Sequence, residues 1–199
     1  MDPVIELLDT EVLSDNCYTL RKFTYRIRRA DGIWATHARE AYDRGNGATI
    51  LLYDTARRTV LLTRQFRLPT YVNGNPTGMM IEACAGLLED EHPEVRIRLE
   101  LREETGYEVP EISKVFEAYM SPGSVTEILH FYVAPYSPAH RVATGGGIDE
   151  EDIEVLELPF DRALEMVGTG EVRDAKTIML LQYAALNLFV QARGALHER

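Results

Sequence analysis

Three glutamates fall on one narrow arc of a predicted helix, and no other feature of this chain constrains its fold as strongly. Pro93 suits the first helical turn, where its missing N–H costs nothing, and Gly106 suits the C-terminal cap. Glu100, Glu103 and Glu104 then lie at i, i+3 and i+4 in the last turns. Like charges at this spacing destabilise a helix, and the macrodipole favours cations at this end. The run is therefore either a solvated acidic face or a site where carboxylate oxygens bind a divalent cation.

The sequence around these glutamates resembles the Nudix box, the signature of the Nudix hydrolases. The family pattern is G-x5-E-x7-R-E-U-x-E-E-x-G-U, where U is a bulky apolar residue, and its second half matches residues 100–107, ELREETGY. The first half departs from the pattern. Gly86 lies one residue too close to the second half, and Leu99 replaces the arginine that pairs with a metal-binding glutamate in the family. Arg96 or Arg98 is available to supply that positive charge.

Segments outside the box resemble the nucleotide-sugar branch of the family, which includes GDP-mannose and ADP-ribose pyrophosphatases. The likeness is greatest to the GDP-mannose pyrophosphatases and covers nearly the whole chain, in LSDN (13–16), YDRGNGATILLY (42–53), RQFR (64–67), MSPG (120–123), VTE (125–127) and LELPF (156–160). It implies a Nudix α/β/α sandwich of the α/β (α+β) class with a mixed sheet, preceded by a small N-terminal β-sheet segment.

Residue patterns predict the same mixture of strands and helices. Residues 5–42 are predicted as strands because Phe23–Arg28 alternates with period two and Ala30–Gly32 suits a hairpin turn. Arg44–Gly47 has strong turn chemistry and is the best candidate boundary. Beyond it we predict a hairpin that turns at 55–58, strands near 79–84, 113–120, 128–135 and 152–158, and helices near 93–105, 161–168 and 174–193.

Two domains are predicted, an N-terminal β segment over 1–43 and a Nudix hydrolase domain over 44–199. A small sheet cannot bury both of its faces alone, and such a segment packs across a two-fold axis in the nucleotide-sugar branch. The resemblance therefore implies a homodimer in which residues 1–43 serve dimerisation. The alternative is that the segment folds back on its own domain.

Composition narrows the class of protein. The chain has 199 residues, of which 45% are hydrophobic, so it can build one substantial core. A net charge of −11 argues against non-specific nucleic-acid binding. No apolar run approaches the roughly 20 residues that span a bilayer, and the N-terminus lacks a targeting pattern, which predicts a cytoplasmic protein without a membrane partner. Cys17 and Cys84 are too few for a disulfide framework and are predicted to be reduced thiols.

The resemblance implies Mg²⁺-dependent hydrolysis of the pyrophosphate bond of a nucleoside diphosphate sugar. The first expectation is conversion of GDP-mannose to GMP and mannose 1-phosphate, and the alternative substrate is ADP-ribose or another ADP-sugar. Leu99 also leaves open a catalytically silent module that only binds a nucleotide. A small-molecule nucleotide sugar is the expected partner in each case.

The same resemblance implies the active-site residues. Mg²⁺, for which Mn²⁺ can substitute, would be bound by the carbonyl of Ala85 and by the carboxylates of Glu100, Glu104 and Glu151, with Glu151 either a ligand or the general base. The implied catalytic residues are Glu104, Glu127 and Glu151. The implied substrate-binding residues are Ala38, Arg39, Glu40, Arg67, Ala85, Gly86, Leu87, Glu104, Glu127, Glu150, Glu151 and Lys176.

Three local patterns each have two interpretations. Glu82 is either a strand-edge charge or part of the site. The acidic run 149–152 follows Gly145–Gly147 and is either a solvated linker or a mobile loop that delivers a carboxylate. Cys17 stands where the resembling enzymes have an aromatic residue that can stack on guanine, and on a strand Tyr18 would point to the opposite face. This predicts weaker discrimination for guanine.

Overall fold

The computed structural model describes residues 4–148 and 152–190. These residues form two compact units. The first contains residues up to Asn46 together with Tyr119–Ile128, and the second contains Gly47–Ala118 and the described residues from Leu129 onward. Sequence analysis assigned residues 119–128 to the second domain, and the dimerisation role of residues 1–43 stays a prediction.

An antiparallel three-stranded sheet forms most of the first unit. Its strands are β1 (Val4–Asp15), β2 (Thr19–Arg28) and β3 (Trp34–Asp43), with β2 in the centre. The predicted turn between β2 and β3 is confirmed: the Asp31 carboxylate accepts a hydrogen bond from the Ile33 N–H at 3.0 Å. Residues 119–128 join this sheet through Tyr42, whose N–H donates to the Ser124 carbonyl at 2.8 Å.

The assumption that Cys17 and Tyr18 lie on a strand is wrong. β1 ends at Asp15 and β2 begins at Thr19, so both residues lie in the bend between the strands. Strand alternation therefore does not apply to them. The ring of Tyr18 packs edge-on against the ring of Tyr42, with 5.9 Å between their centroids.

A mixed sheet of seven strands dominates the second unit. The central order is β10-β5-β4-β9-β8, in which β6 also pairs with β5 and β7 with β4. β4 pairs in parallel with β9 and antiparallel with β5 and β7. The strands are β4 (Gly47–Asp54), β5 (Thr59–Phe66), β6 (Met79–Glu82), β7 (Cys84–Leu87), β8 (Ser113–Tyr119), β9 (Ile128–Pro135) and β10 (Glu154–Pro159).

Within the described part of the chain, four α-helices accompany this sheet: α1 (Leu68–Val72), α2 (Pro93–Glu100), α3 (Phe160–Thr169) and α4 (Ala175–Asn187). A π turn (Leu101–Thr105) continues α2, and a 3-10 turn spans Pro138–His140. Helix α1 was not predicted from the sequence. The predicted helix over 174–193 ends earlier, because Leu188 is already its C-cap, and residues 191–193 lie outside the described residues.

Both faces of the central strand β4 are buried. Ile50 and Leu52 belong to one apolar cluster with Ile97 of α2, whereas Thr49 and Leu51, which point to the other face, are also fully buried. A strand that is covered on both faces needs apolar residues at successive positions, which explains the nearly continuous apolar run ATILLY. This arrangement and the N-terminal sheet confirm the predicted mixed α/β architecture. Among the described residues, no helix is long and apolar enough to cross a membrane.

Candidate active site

Burial divides the three glutamates of the Nudix-like helix into two groups. Glu100 is the last residue of α2 and is 9% exposed, and Glu104 in the π turn is 4% exposed. Glu103 is half-buried. Charged carboxylates are rarely buried without compensation. The solvated-face interpretation is therefore wrong for Glu100 and Glu104, which are the two carboxylates that sequence analysis assigned to the metal.

The end of this helix has donors that the sequence pattern did not reveal. The N–H groups of Gly146 and Gly147 donate to the carbonyls of Glu104 and Glu103, at 2.8 and 3.0 Å. These bonds satisfy backbone acceptors that a helix end otherwise leaves open, and they place N–H dipoles where the macrodipole disfavours anions. Hydrogen bonds thus hold Gly146 and Gly147 against the helix end. The two interpretations of the acidic run 149–152, a solvated linker or a mobile loop that delivers a carboxylate, stay predictions, because residues 149–151, which include Glu150 and Glu151, lie outside the described residues.

Gly86 allows a strand and the helix to approach each other. Ala85, Gly86 and Leu87 lie on β7, which pairs with β4. A Cβ atom at Gly86 would overlap the carboxylate of Glu100. The structure therefore brings the predicted metal-binding segment around Ala85 next to the side chain of Glu100.

Arg96 supplies the positive charge that Leu99 does not. Its Nη2 lies 2.5 Å from Oε1 of Glu100, one helical turn away, and its Nη1 lies 3.5 Å from Oε2 of Glu89. Burial lowers the pKa of Arg96, but the neighbouring glutamates outweigh this effect and the net pKa is raised. Arg98, the alternative partner, instead pairs with Glu94 at 3.2 Å.

The buried thiol of Cys84 lies beside Glu104. Burial and then the charge of Glu104 raise the pKa of this thiol well above its usual value. The thiol is therefore protonated at neutral pH and can donate its hydrogen to the Glu104 carboxylate. Cys17 is exposed, and neither cysteine is in a disulfide, as predicted.

The donor set fits a hard divalent cation. Two buried carboxylates one turn apart, next to a backbone segment, offer oxygen ligands of the kind that Mg²⁺ and Mn²⁺ prefer. Within residues 4–148 and 152–190, no group of three or more His, Cys, Asp or Glu side chains could hold a metal ion. Glu100 and Glu104 are the only described side chains in the predicted ligand set. The other two predicted ligands are the carbonyl of Ala85 and Glu151, which lies outside the described residues.

Arg67 and Lys176 meet at one buried carboxylate. The Nε of Arg67 donates to Oε2 of Glu82 at 2.8 Å, and the Nζ of Lys176 donates to Oε1 at 3.2 Å. Lys176 also lies 3.0 Å from Oδ1 of Asp174, the N-cap of α4. Glu82 is thus not a strand-edge charge. Asp174 was predicted as the start of a helix, where Asp is a preferred N-cap residue, but it was not predicted to contact Lys176.

The remaining described candidates lie in the first unit. Arg39 and Glu40 line a cavity of about 670 Å³ whose aromatic lining residues are Phe23, Tyr25 and Tyr119. The Nη1 of Arg39 donates to the carbonyl of Ala38 at 2.8 Å. Glu127 has a 13% exposed side chain and lies 3.7 Å from the Nε of Arg44.

Residues 43–181 match the family model of the NUDIX domain, and residues 4–42 match that of the GDP-mannose pyrophosphatase NudK N-terminal domain. The chain therefore belongs to the Nudix family of hydrolases, whose members generally use divalent metal ions. Among curated relatives, the GDP-mannose pyrophosphatase of Escherichia coli strain K12 is 59% identical over 183 residues, which cover 92% of this chain and 96% of the relative. The GDP-mannose pyrophosphatase of Salmonella choleraesuis strain SC-B67 is 58% identical over the same shares.

Replacing Arg96 by Met is expected to weaken activation by a divalent metal ion by about 10- to 100-fold, because groups that orient a metal ligand typically contribute this much. Titration of the initial rate with Mg²⁺ measures the effect. Arg102→Met is the matched control, since Arg102 lies on the same helix but pairs with Glu108 in an exposed ion pair. An unchanged Mg²⁺ dependence in Arg96→Met would show that Arg96 does not orient Glu100.

Proposed function

We propose that this protein catalyses the Mg²⁺-dependent hydrolysis of GDP-mannose to GMP and mannose 1-phosphate in the cytoplasm. The observation that carries the proposal is the pair of buried carboxylates, Glu100 and Glu104, at the end of the Nudix helix. Identities of 58–59% to GDP-mannose pyrophosphatases support the choice of substrate.

The metal site in this proposal consists of Glu100, Glu104, the carbonyl of Ala85 and Glu151. When bound there, Mg²⁺ would neutralise the negative charge of the phosphate groups and activate a water molecule for attack. Arg96 holds the carboxylate of Glu100 in place, and the thiol of Cys84 donates to Glu104. Both contacts orient the ligands before the metal arrives, which lowers the cost of assembling the site.

Substrate binding in this proposal relies on local cations, because the net charge of −11 repels a diphosphate. Arg67 and Lys176 donate to phosphate oxygens, and the backbone of Gly86 and Leu87 approaches the substrate. Ala38, Arg39, Glu40, Glu127 and Glu150 complete the proposed substrate contacts.

The bond change is a displacement at phosphorus. A water oxygen forms a bond to one phosphorus, the bond from that phosphorus to the bridging oxygen breaks, and the other phosphate group leaves as a monoester. A carboxylate oxygen accepts the proton of the attacking water. Glu151 is the first candidate for this base, and Glu104 and Glu127 are the others.

A catalytically silent module is the competing interpretation from another functional class. Its ground was the absence of an arginine at Leu99. The ion pair between Arg96 and Glu100 removes that ground, because the positive charge is present one turn earlier on the same helix.

A panel of nucleotide sugars tests the proposal. We expect the highest kcat/KM for GDP-mannose, lower values for ADP-ribose and UDP-glucose, dependence on Mg²⁺ with partial replacement by Mn²⁺, and complete inhibition by EDTA. A preference for ADP-ribose would instead support the alternative substrate, ADP-ribose or another ADP-sugar. Binding of a nucleotide without turnover of any substrate would support the silent module.

We also propose a homodimer formed through the N-terminal sheet. Strand β1 leaves large apolar side chains between 41% and 62% exposed, at Val4, Ile5, Leu7, Leu8, Val12 and Leu13. A run of this kind on an edge strand is a liability unless another surface covers it. A second copy of the chain is the cover favoured by the predominance of symmetric dimers.

Light scattering is expected to give twice the chain mass of 22.6 kDa. Leu7→Asp is expected to shift the protein to the monomer mass, because it puts a charge into the apolar run. Leu186→Asp serves as the control, since Leu186 is 74% exposed on α4. A wild-type protein that has the monomer mass by light scattering would contradict the dimer.

A further inference from the structure

One buried carboxylate orients two cations that come from distant parts of the chain. The side chain of Glu82 is only 6% exposed, and each of its oxygens accepts a hydrogen bond from a different cation, Arg67 or Lys176. A carboxylate this deeply buried requires compensating charge. The contact fixes both cations at a single point at the end of β6.

Each of the two cations keeps donors for a further ligand. In the ranges that the structure describes, the partner of the Arg67 side chain is Glu82, which it contacts through Nε, so its Nη donors remain for a ligand, and this side chain is 40% exposed. The ammonium of Lys176 has three donors, and among the described residues its partners are Glu82 and Asp174. Donors that remain on oriented cations are suited to phosphate oxygens.

The same point is tied to the helix that carries Lys176. The N–H of Ala83 donates to Oγ1 of Thr177 at 2.6 Å, and this hydroxyl donates to Oδ2 of Asp174. Asp174 also accepts from the N–H of Thr177 as the N-cap of α4. The start of α4 is therefore fixed relative to residues 82–85, which lead into the proposed metal-binding segment.

The charges of this cluster cancel. Glu82 and Asp174 contribute two negative charges, and Arg67 and Lys176 contribute two positive ones. A neutral cluster does not attract a diphosphate through its net charge, so any contribution to substrate binding comes from the direction of its donors.

We propose that Glu82 is a positioning residue for the substrate, holding Arg67 and Lys176 so that both direct donors to its phosphate groups. This inference rests on the proposed function. It makes a prediction opposite in sign to simple electrostatics: Glu82→Gln makes the cluster more positive, which by charge alone strengthens binding of an anion, whereas loss of orientation weakens it.

Steady-state kinetics of the full-length Glu82→Gln variant with GDP-mannose separates these effects. We expect KM to rise by about tenfold with kcat within about twofold of wild type, because the two cations bind the ground state and the transition state alike. Glu154→Gln is the matched control, since Glu154 pairs with Arg64 on the neighbouring strand in an exposed contact. An unchanged or lower KM in Glu82→Gln would overturn the proposal.

A double-mutant cycle tests whether Glu82 acts through Lys176. If it does, the KM increase of the double variant Glu82→Gln with Lys176→Met is smaller than the product of the two separate increases, because only the part that acts through Arg67 remains. Strictly multiplicative KM effects in this cycle and in the matching cycle with Arg67→Met would overturn the proposal. Glu82→Asp replaces Glu82→Gln if thermal unfolding shows that the latter does not fold. It retains the charge but is too short to reach both cations, so KM rises if positioning matters and stays unchanged if it does not.

The outcome also separates this inference from the proposed function. Wild-type protein that hydrolyses no nucleotide sugar contradicts the proposed function. A wild-type enzyme in which Lys176→Met raises KM but Glu82→Gln does not leaves the proposed function intact and refutes the role of Glu82.

Discussion

Replacement of Glu104 by Gln is expected to lower kcat by at least about 10²-fold without unfolding the protein, because a neutral amide is a poor ligand for Mg²⁺ and metal stabilisation of the reacting phosphate is large. Glutamine has nearly the same shape as glutamate, and the residue is 4% exposed, so packing is preserved. Steady-state kinetics over a range of Mg²⁺ concentrations and a thermal unfolding curve measure both parts of this result.

Glu103→Gln is the matched control for this variant. Glu103 lies in the same π turn but is half-buried and is not an assigned ligand, so a much smaller loss of kcat is expected. Near-normal turnover of Glu104→Gln at saturating Mg²⁺ would remove Glu104 from the metal site.

Replacement of Gly86 by Ala is expected to lower kcat/KM by about 10²-fold, the loss that a displacement of about 1 Å in a catalytic group can produce. The added Cβ atom overlaps the carboxylate of Glu100. That carboxylate cannot move aside freely, because it is buried and paired with Arg96. The measured quantity is kcat/KM at saturating Mg²⁺.

Two further variants interpret the result at Gly86. In Gly168→Ala the new Cβ meets no atom within 4 Å, so activity is expected to be unchanged. In a background of Glu100→Ala, Gly86→Ala is expected to lower kcat/KM no further, because the side-chain atoms that the new Cβ would overlap are absent. Full activity of Gly86→Ala alone would show that Glu100 is not held against this strand.

The limits of the helix that carries Glu100 and Glu104 could be predicted from sequence because they depend on local chemistry. Pro93 begins α2, and Gly106 ends the π turn with φ at +76°, as its position suggested. The π turn over Leu101–Thr105 was not predicted. The carbonyls of Glu103 and Glu104 in this turn accept hydrogen bonds from the N–H groups of Gly146 and Gly147. These donors come from a distant part of the chain, so the contacts exist only in the folded protein.

In the candidate site, too, some features could be predicted from the sequence and others depend on the fold. The glutamates were identified from their spacing, and both Arg96 and Arg98 were considered as partners of Glu100. Helix geometry already favours Arg96, because it lies four residues before Glu100 whereas Arg98 lies only two residues before it. The structure agrees, since Arg96 reaches Glu100 and Arg98 pairs with Glu94. The close approach of Gly86 on β7 to the carboxylate of Glu100 could not be predicted, because it depends on how two separate elements pack.

The role of Glu82 needed tertiary structure for a related reason. Its partners, Arg67 and Lys176, come from a loop and a helix that are far apart in sequence. The prediction that Cys17 and Tyr18 lie on a strand failed for the opposite reason. The local rule of strand alternation was applied to residues 16–18, where the backbone bends.

Phosphorus NMR of the products formed from GDP-mannose in the presence of Mg²⁺ tests the central claim most directly. Cleavage of the pyrophosphate bond gives two phosphomonoester signals, from GMP and mannose 1-phosphate, in equal amounts, and EDTA prevents both. Signals of GDP, formed together with free mannose, would show that the glycosidic bond is cleaved instead and would contradict the proposed function.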